Sequence, residues 1–306
     1  MNDPRHTPHV LHRGSILVTT VWLLTILALL ALGVSYRASL ELRLARYQTA
    51  LTQATLASWA GFYRAVELLS LDDASSDSLS DLWAMGPHLV EQPVGHSDVT
   101  TRVQISDEQS RLNLNVASSD QIELLPLMNA DVAAAIVAFL QPSPSPEDAY
   151  YSTLDPPYTT KGVPFESLAE LHLVRGMTPE RWNIIARFCT IYPTEGAPVN
   201  LNTAPPEVLL AVGLSSQLVE QVLTYRQGND GEVGTADDGV IEDIVGFLPP
   251  EEYAALLSTL GVSSATFRVR SEGRADEGRV VKIIEAVLER PTEVGQPVRL
   301  FAWSEP

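Results

Sequence analysis

Between Ser15 and Val34 the chain carries no charged side chain. As a helix, these roughly 20 residues span about 30 Å, the thickness of a bilayer's hydrocarbon core. The pattern then changes without a break. Leu40, Leu44, Tyr47, Leu51 and Ala54 recur at three or four residues, and Phe62, Val66 and Leu69 follow further along. No proline occurs from His9 to Gly86. The spacing predicts one helix from Ser15 to about Leu69, roughly 80 Å long, apolar all round at first and amphipathic afterwards. A short polar leader precedes it, with Arg5, Arg13 and three histidines, and ends in Arg13-Gly14. The apolar run is too long for a secretory signal. It reads as a retained anchor.

Beyond a polar linker at Asp72–Ser78 the period falls to two. Val99–Ile105 alternates as a strand does; Phe267–Arg270 and Arg279–Glu289 read as a hairpin around the turn-rich Ser271–Gly278; Val298–Trp303 reads as a closing strand. An isolated hairpin is marginal, so strands from both ends are expected in one antiparallel sheet on the long helix. Between them, residues 113–265 read as almost wholly helical. Three stretches, Ser119–Phe139, Phe165–Ile185 and Ala204–Leu223, each pattern as helix, short turn, helix, with a Ser or Thr placed to cap the first helix. The expected class is α+β: a long N-terminal membrane and spine helix with an antiparallel sheet, interrupted by a large all-α insert of helix-hairpin-helix-like units. The segments are a leader at 1–14, the helix at 15–70, linker and first strands at 71–112, the insert at 113–265, and the remaining strands at 266–306.

Charge narrows the function. The chain holds 20 basic and 38 acidic residues, a formal net charge of -18. Helix-hairpin-helix units bind the nucleic-acid backbone through glycine-rich turns with Lys or Arg nearby, so a membrane-anchored DNA-uptake receptor is the rival reading. Here no Lys or Arg occurs from Leu112 to Thr160 or from Phe188 to Tyr225, and the turns Pro126–Asn129 and Val212–Ser215 lack paired glycines. Nucleic acid is not an expected partner. No nucleophile elbow, zinc-protease helix or phosphate loop is present, so no catalytic residue is assigned. His88, His96 and His172 are isolated, and Cys189, the one cysteine, lies in an apolar stretch that favours a buried thiol. One chemical feature remains. Gly228–Asp243 gathers Asn229, Asp230, Glu232, Asp237, Asp238 and Glu242 in a glycine-rich loop. Hard oxygen donors of this kind suit calcium, although the spacing is not that of an EF-hand. A solvated acidic turn is the ordinary alternative.

A basic leader ending in glycine, followed by a membrane helix that becomes an amphipathic spine, resembles the signal of type IV pilins and pseudopilins. The motifs Asp107–Asn115, Pro164–Leu171 with Val174–Thr178, and Val199–Leu209 resemble those of the K-type minor pseudopilins of type II secretion, the general secretion pathway protein K family. The resemblance covers nearly the whole chain. It implies cleavage by a prepilin peptidase between Gly14 and Ser15, and methylation of the new terminus. It places the anchor in the bacterial inner membrane, single-pass, with the body in the periplasm. Most pilins carry a glutamate at the fifth mature position, which meets a neighbour's terminal amine. Here Thr19 stands there, as in K-type subunits, and a subunit with nothing above it has no such amine to meet. The implied role is a non-enzymatic tip subunit that nucleates and caps the periplasmic pseudopilus. The implied partners are the I-type and J-type minor pseudopilins, the major pseudopilin, the prepilin peptidase and the inner-membrane assembly platform. Calcium binding recurs among these proteins. Two positions depart from the family: Gly162-Val163 stands where an Asn precedes the Pro-Phe pair, and Ser15 replaces a bulky apolar residue.

Overall fold

The computed structural model describes residues 15–90, 99–235, 237–249, 256–291, 295 and 297–306. The leader with Gly14, and His96, lie outside the described residues. The chain divides into two units, residues 1–52 and 53–306.

Helix α1 runs uninterrupted over Ser15–Leu71, 57 residues. In the first unit its side chains from Ile16 to Thr49 are all exposed. Exposed apolar surface on this scale marks a surface that lipid or a partner covers.

In the second unit, the last turns of α1 pack on a five-stranded antiparallel sheet. Its strands are β1 (His88–Val90), β2 (Thr100–Asp107), β7 (Thr266–Ala275), β8 (Val280–Glu289) and β9 (Leu300–Ser304), in spatial order β1-β2-β7-β8-β9. Thr101, Val103, Ile105 and Asp107 alternate inward on β2 as the period of two demands. Ala54, Ser58, Gly61, Ala65 and Leu69 recur every three or four residues and are buried. Small residues set the approach: a Cβ on Gly273 would lie 2.1 Å from the Ala54 carbonyl oxygen and 2.6 Å from the Ser58 nitrogen. The Thr101 and Ser271 hydroxyls donate to the Ala57 and Ser58 carbonyls at 3.1 and 2.7 Å, fastening helix to sheet. Around this seam Phe62, Leu69, Trp83, Val103, Phe267, Val269 and Leu288 form one core. The hairpin is tighter than its composition suggested. Strand β7 continues through Ser271–Ala275, and the turn is confined to Asp276–Arg279.

Residues between β2 and β7 enclose a second core. In order they form a 3-10 turn (Glu108–Ser110), β3 (Leu112–Asn113), α2 (Ser119–Glu123), α3 (Ala130–Phe139), α4 (Asp148–Tyr151), a 3-10 helix (Leu168–Leu173), α5 (Pro179–Phe188), β4 (Cys189–Thr190), β5 (Val199–Asn200), α6 (Pro206–Ala211), α7 (Ser216–Arg226), α8 (Ile244–Phe247) and β6 (Leu260–Gly261). The region is less helical than its periodicity implied. The described helices are short, and two-residue parallel pairs, β3 with β4 and β5 with β6, tie them together. Capping explains where helices begin. Ser118 with Gln121, and Ser167 with Glu170, form capping boxes, while Asn129, Thr178 and Ser215 cap α3, α5 and α7. The third unit breaks the rule: Pro205 stands at the N-cap of α6 with no side-chain bond. The nearby Thr203 hydroxyl instead donates to Asp107.

Candidate assembly helix and acidic loop

On α1, Thr19 donates its hydroxyl to the Ile16 carbonyl at 2.9 Å, and Thr20 and Thr25 do likewise to Leu17 and Val21 at 2.9 and 2.8 Å. These bonds fold each hydroxyl back onto its own helix, which lowers the cost of placing it in lipid. No carboxylate interrupts the helix before Glu41. By length and composition α1 can cross a membrane.

The acidic loop leaves the end of α7. Gly228 takes a left-handed φ of +61°, and a Cβ there would sit 2.6 Å from the Asp237 carbonyl oxygen. The loop closes on itself. Asp237 Oδ2 accepts from the Asn229 amide at 2.6 Å and the Asp230 amide at 3.3 Å. Asp238 Oδ2 accepts from Gly234 at 2.6 Å and Thr235 at 3.3 Å. The Thr235 hydroxyl lies between the two carboxylates, 2.9 and 3.1 Å away. The Asn229 amide, then the Thr235 hydroxyl, hold Asp237 below the usual carboxylate range. Asp230 accepts from the Glu232 amide at 2.8 Å. The Glu232 and Glu242 carboxylates have no hydrogen-bond or ion-pair partner among the described residues. The loop thus binds its own amides with three carboxylates and leaves Glu232 and Glu242 without a partner among the described residues.

Among the described residues, a group of three acidic side chains whose oxygens all lie within 4.8 Å of one another occurs elsewhere, at Asp72, Asp77 and Asp81. This cluster already contains a cation. Arg290, largely buried, pairs with Asp77 and reaches Asp72 at 3.3 Å. Asp77 also accepts from the Ser264 amide at 2.6 Å. Beside it Asp107, buried at the end of β2, accepts from Thr203, from the Ser264 hydroxyl at 2.7 Å and from Asn200 at 3.2 Å. Burial pushes Asp72 and Asp77 up to about 6 and raises Asp107 as well. This junction joins linker, sheet and insert, and sequence reasoning missed it. Its members are scattered from 72 to 290, and only Asp107, Asn200 and Thr203 fall in motifs already singled out.

The other motif residues act as staples. Buried Glu108 pairs with Arg268 and with Arg111 at 3.3 Å. Gln109 accepts from the Ala265 amide at 2.6 Å and donates to the Pro198 carbonyl at 3.1 Å. Asn115 accepts from the Phe165 amide at 2.7 Å and donates to the Ile191 carbonyl at 3.1 Å. Asn202 exchanges two bonds of 2.9 Å with the Ile241 backbone. Such side chains satisfy backbone groups that irregular segments leave unpaired.

The family model for type II secretion system protein K matches residues 110–194, which run from the 3-10 turn after β2 past β4. Type II secretion system protein K of Aeromonas hydrophila is 29% identical over 259 residues, covering 70% of this chain and 75% of that protein. By these matches the chain is similar to type II secretion system protein K. Its N-terminal apolar helix is suited to single-pass anchoring. A chain of the solved GspK-GspI-GspJ complex from the enterotoxigenic Escherichia coli type 2 secretion system shares the α+β fold. That match has a TM-score of 0.65 at 21% identity, and covers 86% of this chain and 99% of the other. The remaining described chemical candidates take structural places. Cys189 is fully buried, which raises its thiol pKa. His172 stacks on Trp182 at 4.3 Å, and His88 Nε2 lies 3.2 Å from the Trp83 carbonyl.

Proposed function

We propose that this chain is the tip subunit of a periplasmic pseudopilus, which it nucleates and caps without catalysing a reaction. The observation that carries the reading is α1 itself: an unbroken helix, exposed through its apolar part, with Thr19 and no carboxylate in the span. A charge in the hydrocarbon core is costly unless partnered, so a span without one needs no partner amine above it. Processing between Gly14 and Ser15 by a prepilin peptidase frees the mature terminus. The I-type and J-type minor pseudopilins bind beside it, and the major pseudopilin and assembly platform extend the filament from the inner membrane. The solved complex contains those two partner types with the related chain, which supports the same assembly here.

Nucleic acid has no place in this reading. Arg181, the arginine that meets the first two turns, is engaged by their carbonyls, donating to Leu127 at 3.1 Å and Gly176 at 2.6 Å. The acidic loop is proposed to hold calcium. Its donors fit a hard cation through the outward Asp230, Glu232 and Glu242 carboxylates, the Asn229 amide oxygen, and outer oxygens of Asp237 and Asp238. When bound, the cation would offset the repulsion within the loop.

The test is position in the filament. Pili assembled with a gold-labelled tag on this chain are expected to carry label at one end only. Label along the shaft would overturn the tip role. N-terminal sequencing of the membrane-extracted chain should begin at Ser15, and Gly14→Ala should leave the precursor uncut.

A further inference from the structure

The charge along α1 is unevenly placed. No charged residue occurs from Ser15 to Tyr36, and then Arg37, Arg43 and Arg46 follow within ten residues, against one acid, Glu41. In a chain of net charge -18, this is a local basic collar. Arg37 is partly neutralised, pairing with Glu41 at 3.3 Å. Arg43 and Arg46 are exposed and have no ion-pair partner among the described residues.

Helix geometry shows what the free pair can reach. Tyr36 and Tyr47 stand seven residues before and four after Arg43, which puts all three on one side of α1. Both tyrosines are exposed, at 72% and 55%. Aromatic rings with a polar tip favour the headgroup layer of a membrane, and tyrosine is enriched there. Arg43 lies nine residues beyond Val34, about 13 Å along the axis. Helical side chains lean toward the N-terminus, so long arginine stems point back toward the span and carry the guanidinium nearer the surface. A tilt of the usual size shortens the remaining distance. Guanidinium groups take phosphate oxygens in bidentate pairs.

We propose that Arg43 and Arg46 bind the phosphate headgroups of anionic phospholipids on the side of the membrane where α1 emerges. The proposal rests on the membrane reading of α1 and on no other part of the functional assignment. The occupant is lipid because the cations sit where an uncharged span ends, within reach of one headgroup layer.

The test uses the full chain reconstituted in phosphatidylcholine bilayers, with spin-labelled phosphatidylglycerol or phosphatidylcholine as probe. The native chain should hold phosphatidylglycerol in its motionally restricted shell about fivefold more strongly, the preference one surface arginine supplies. High salt should erase the preference. R43Q/R46Q should lose it, whereas R64Q, further along α1 and paired with Glu67 at 2.7 Å, should keep it. Equal association of the two lipids with the native chain, or a preference that survives R43Q/R46Q, would overturn the proposal and leave the collar to an acidic neighbouring subunit. A chain that restricts neither lipid is not inserted at all, and that result defeats the membrane reading first.

Discussion

Two acidic groups in this protein meet opposite fates. The loop at 228–242 concentrates its carboxylates within a few residues, lies largely exposed, and satisfies Asp237 and Asp238 with its own amides. The junction sets Asp72, Asp77 and Asp81 of the linker segment beside the distant Asp107 and Arg290, and buries Asp77 and Asp107. Amide donors lower Asp237 where water is near, and desolvation raises Asp77 where it is not. Local density of acid in a sequence thus marks a solvated turn. The carboxylates that bear on stability are held together only by the fold.

The largest effect should come from removing the cation at the junction. Arg290 is 7% exposed, stacks at 5.0 Å over the Phe267 ring and balances Asp77. Arg290→Met keeps most of the volume and leaves the carboxylates buried without it. Stranding a buried charge costs about 3–5 kcal/mol. Urea unfolding of the detergent-solubilised chain should show that loss. A change below about 1 kcal/mol would mean that the junction is hydrated and resembles the loop after all.

Calcium should divide the two regions next. A cation that binds only the folded loop stabilises it by about 2.7 kcal/mol at a hundredfold excess over Kd. Melting temperature should rise with millimolar calcium and fall with chelator. D237N/D238N should abolish the response and lower apo stability slightly, because both carboxylates accept backbone amides. D72N should leave the calcium response unchanged. If D72N abolishes it and D237N/D238N does not, the cation belongs at the junction.

Much of the fold was legible because it rests on periodicity. The uncharged run and its amphipathic continuation gave α1. Alternation gave β2, and β7 and β8 lay where the outer hydrophobic strands predicted them. What escaped was polar and non-local. Ser271–Ala275 looked like a turn by composition, yet it forms sheet, because the Ser271 hydroxyl and the bare Gly273 suit the close approach of α1. Thr203 stood where a cap belongs, but Asp107 takes its hydroxyl from far along the chain. The acidic loop was visible as a cluster of donors, although its internal hydrogen bonding was not. The partners of Arg290 could not be read at all, since Asp72 and Asp77 lie in a segment whose composition signals only a linker.

The smallest expected effect concerns pH, and its sign separates the regions most cleanly. Asp72 faces Asp81, Arg290 and Asp77, and burial is the main cause of its rise to about 6. Asp77 faces the Ser264 amide, Arg290 and Asp107, again with burial first. An unfolded carboxylate titrates near 4. Between about pH 4 and 6 the folded chain therefore binds more protons than the unfolded one, and stability falls as pH rises through that window. Moving from pH 7.5 to pH 5 should raise the melting temperature by a few degrees, the reverse of a protein whose carboxylates are held mainly by donors. Asp237 and Asp148, both lowered by backbone amides, act in the other direction. Their stabilisation is complete above about pH 4 and is lost only below it. D72N removes one raised carboxylate and should flatten the rise between pH 7.5 and 5 without touching the loss of stability in stronger acid. A melting temperature that falls steadily from pH 7.5 to 5 would show that the junction carboxylates stay ionised, held by Arg290 and by water as the loop is held by its amides.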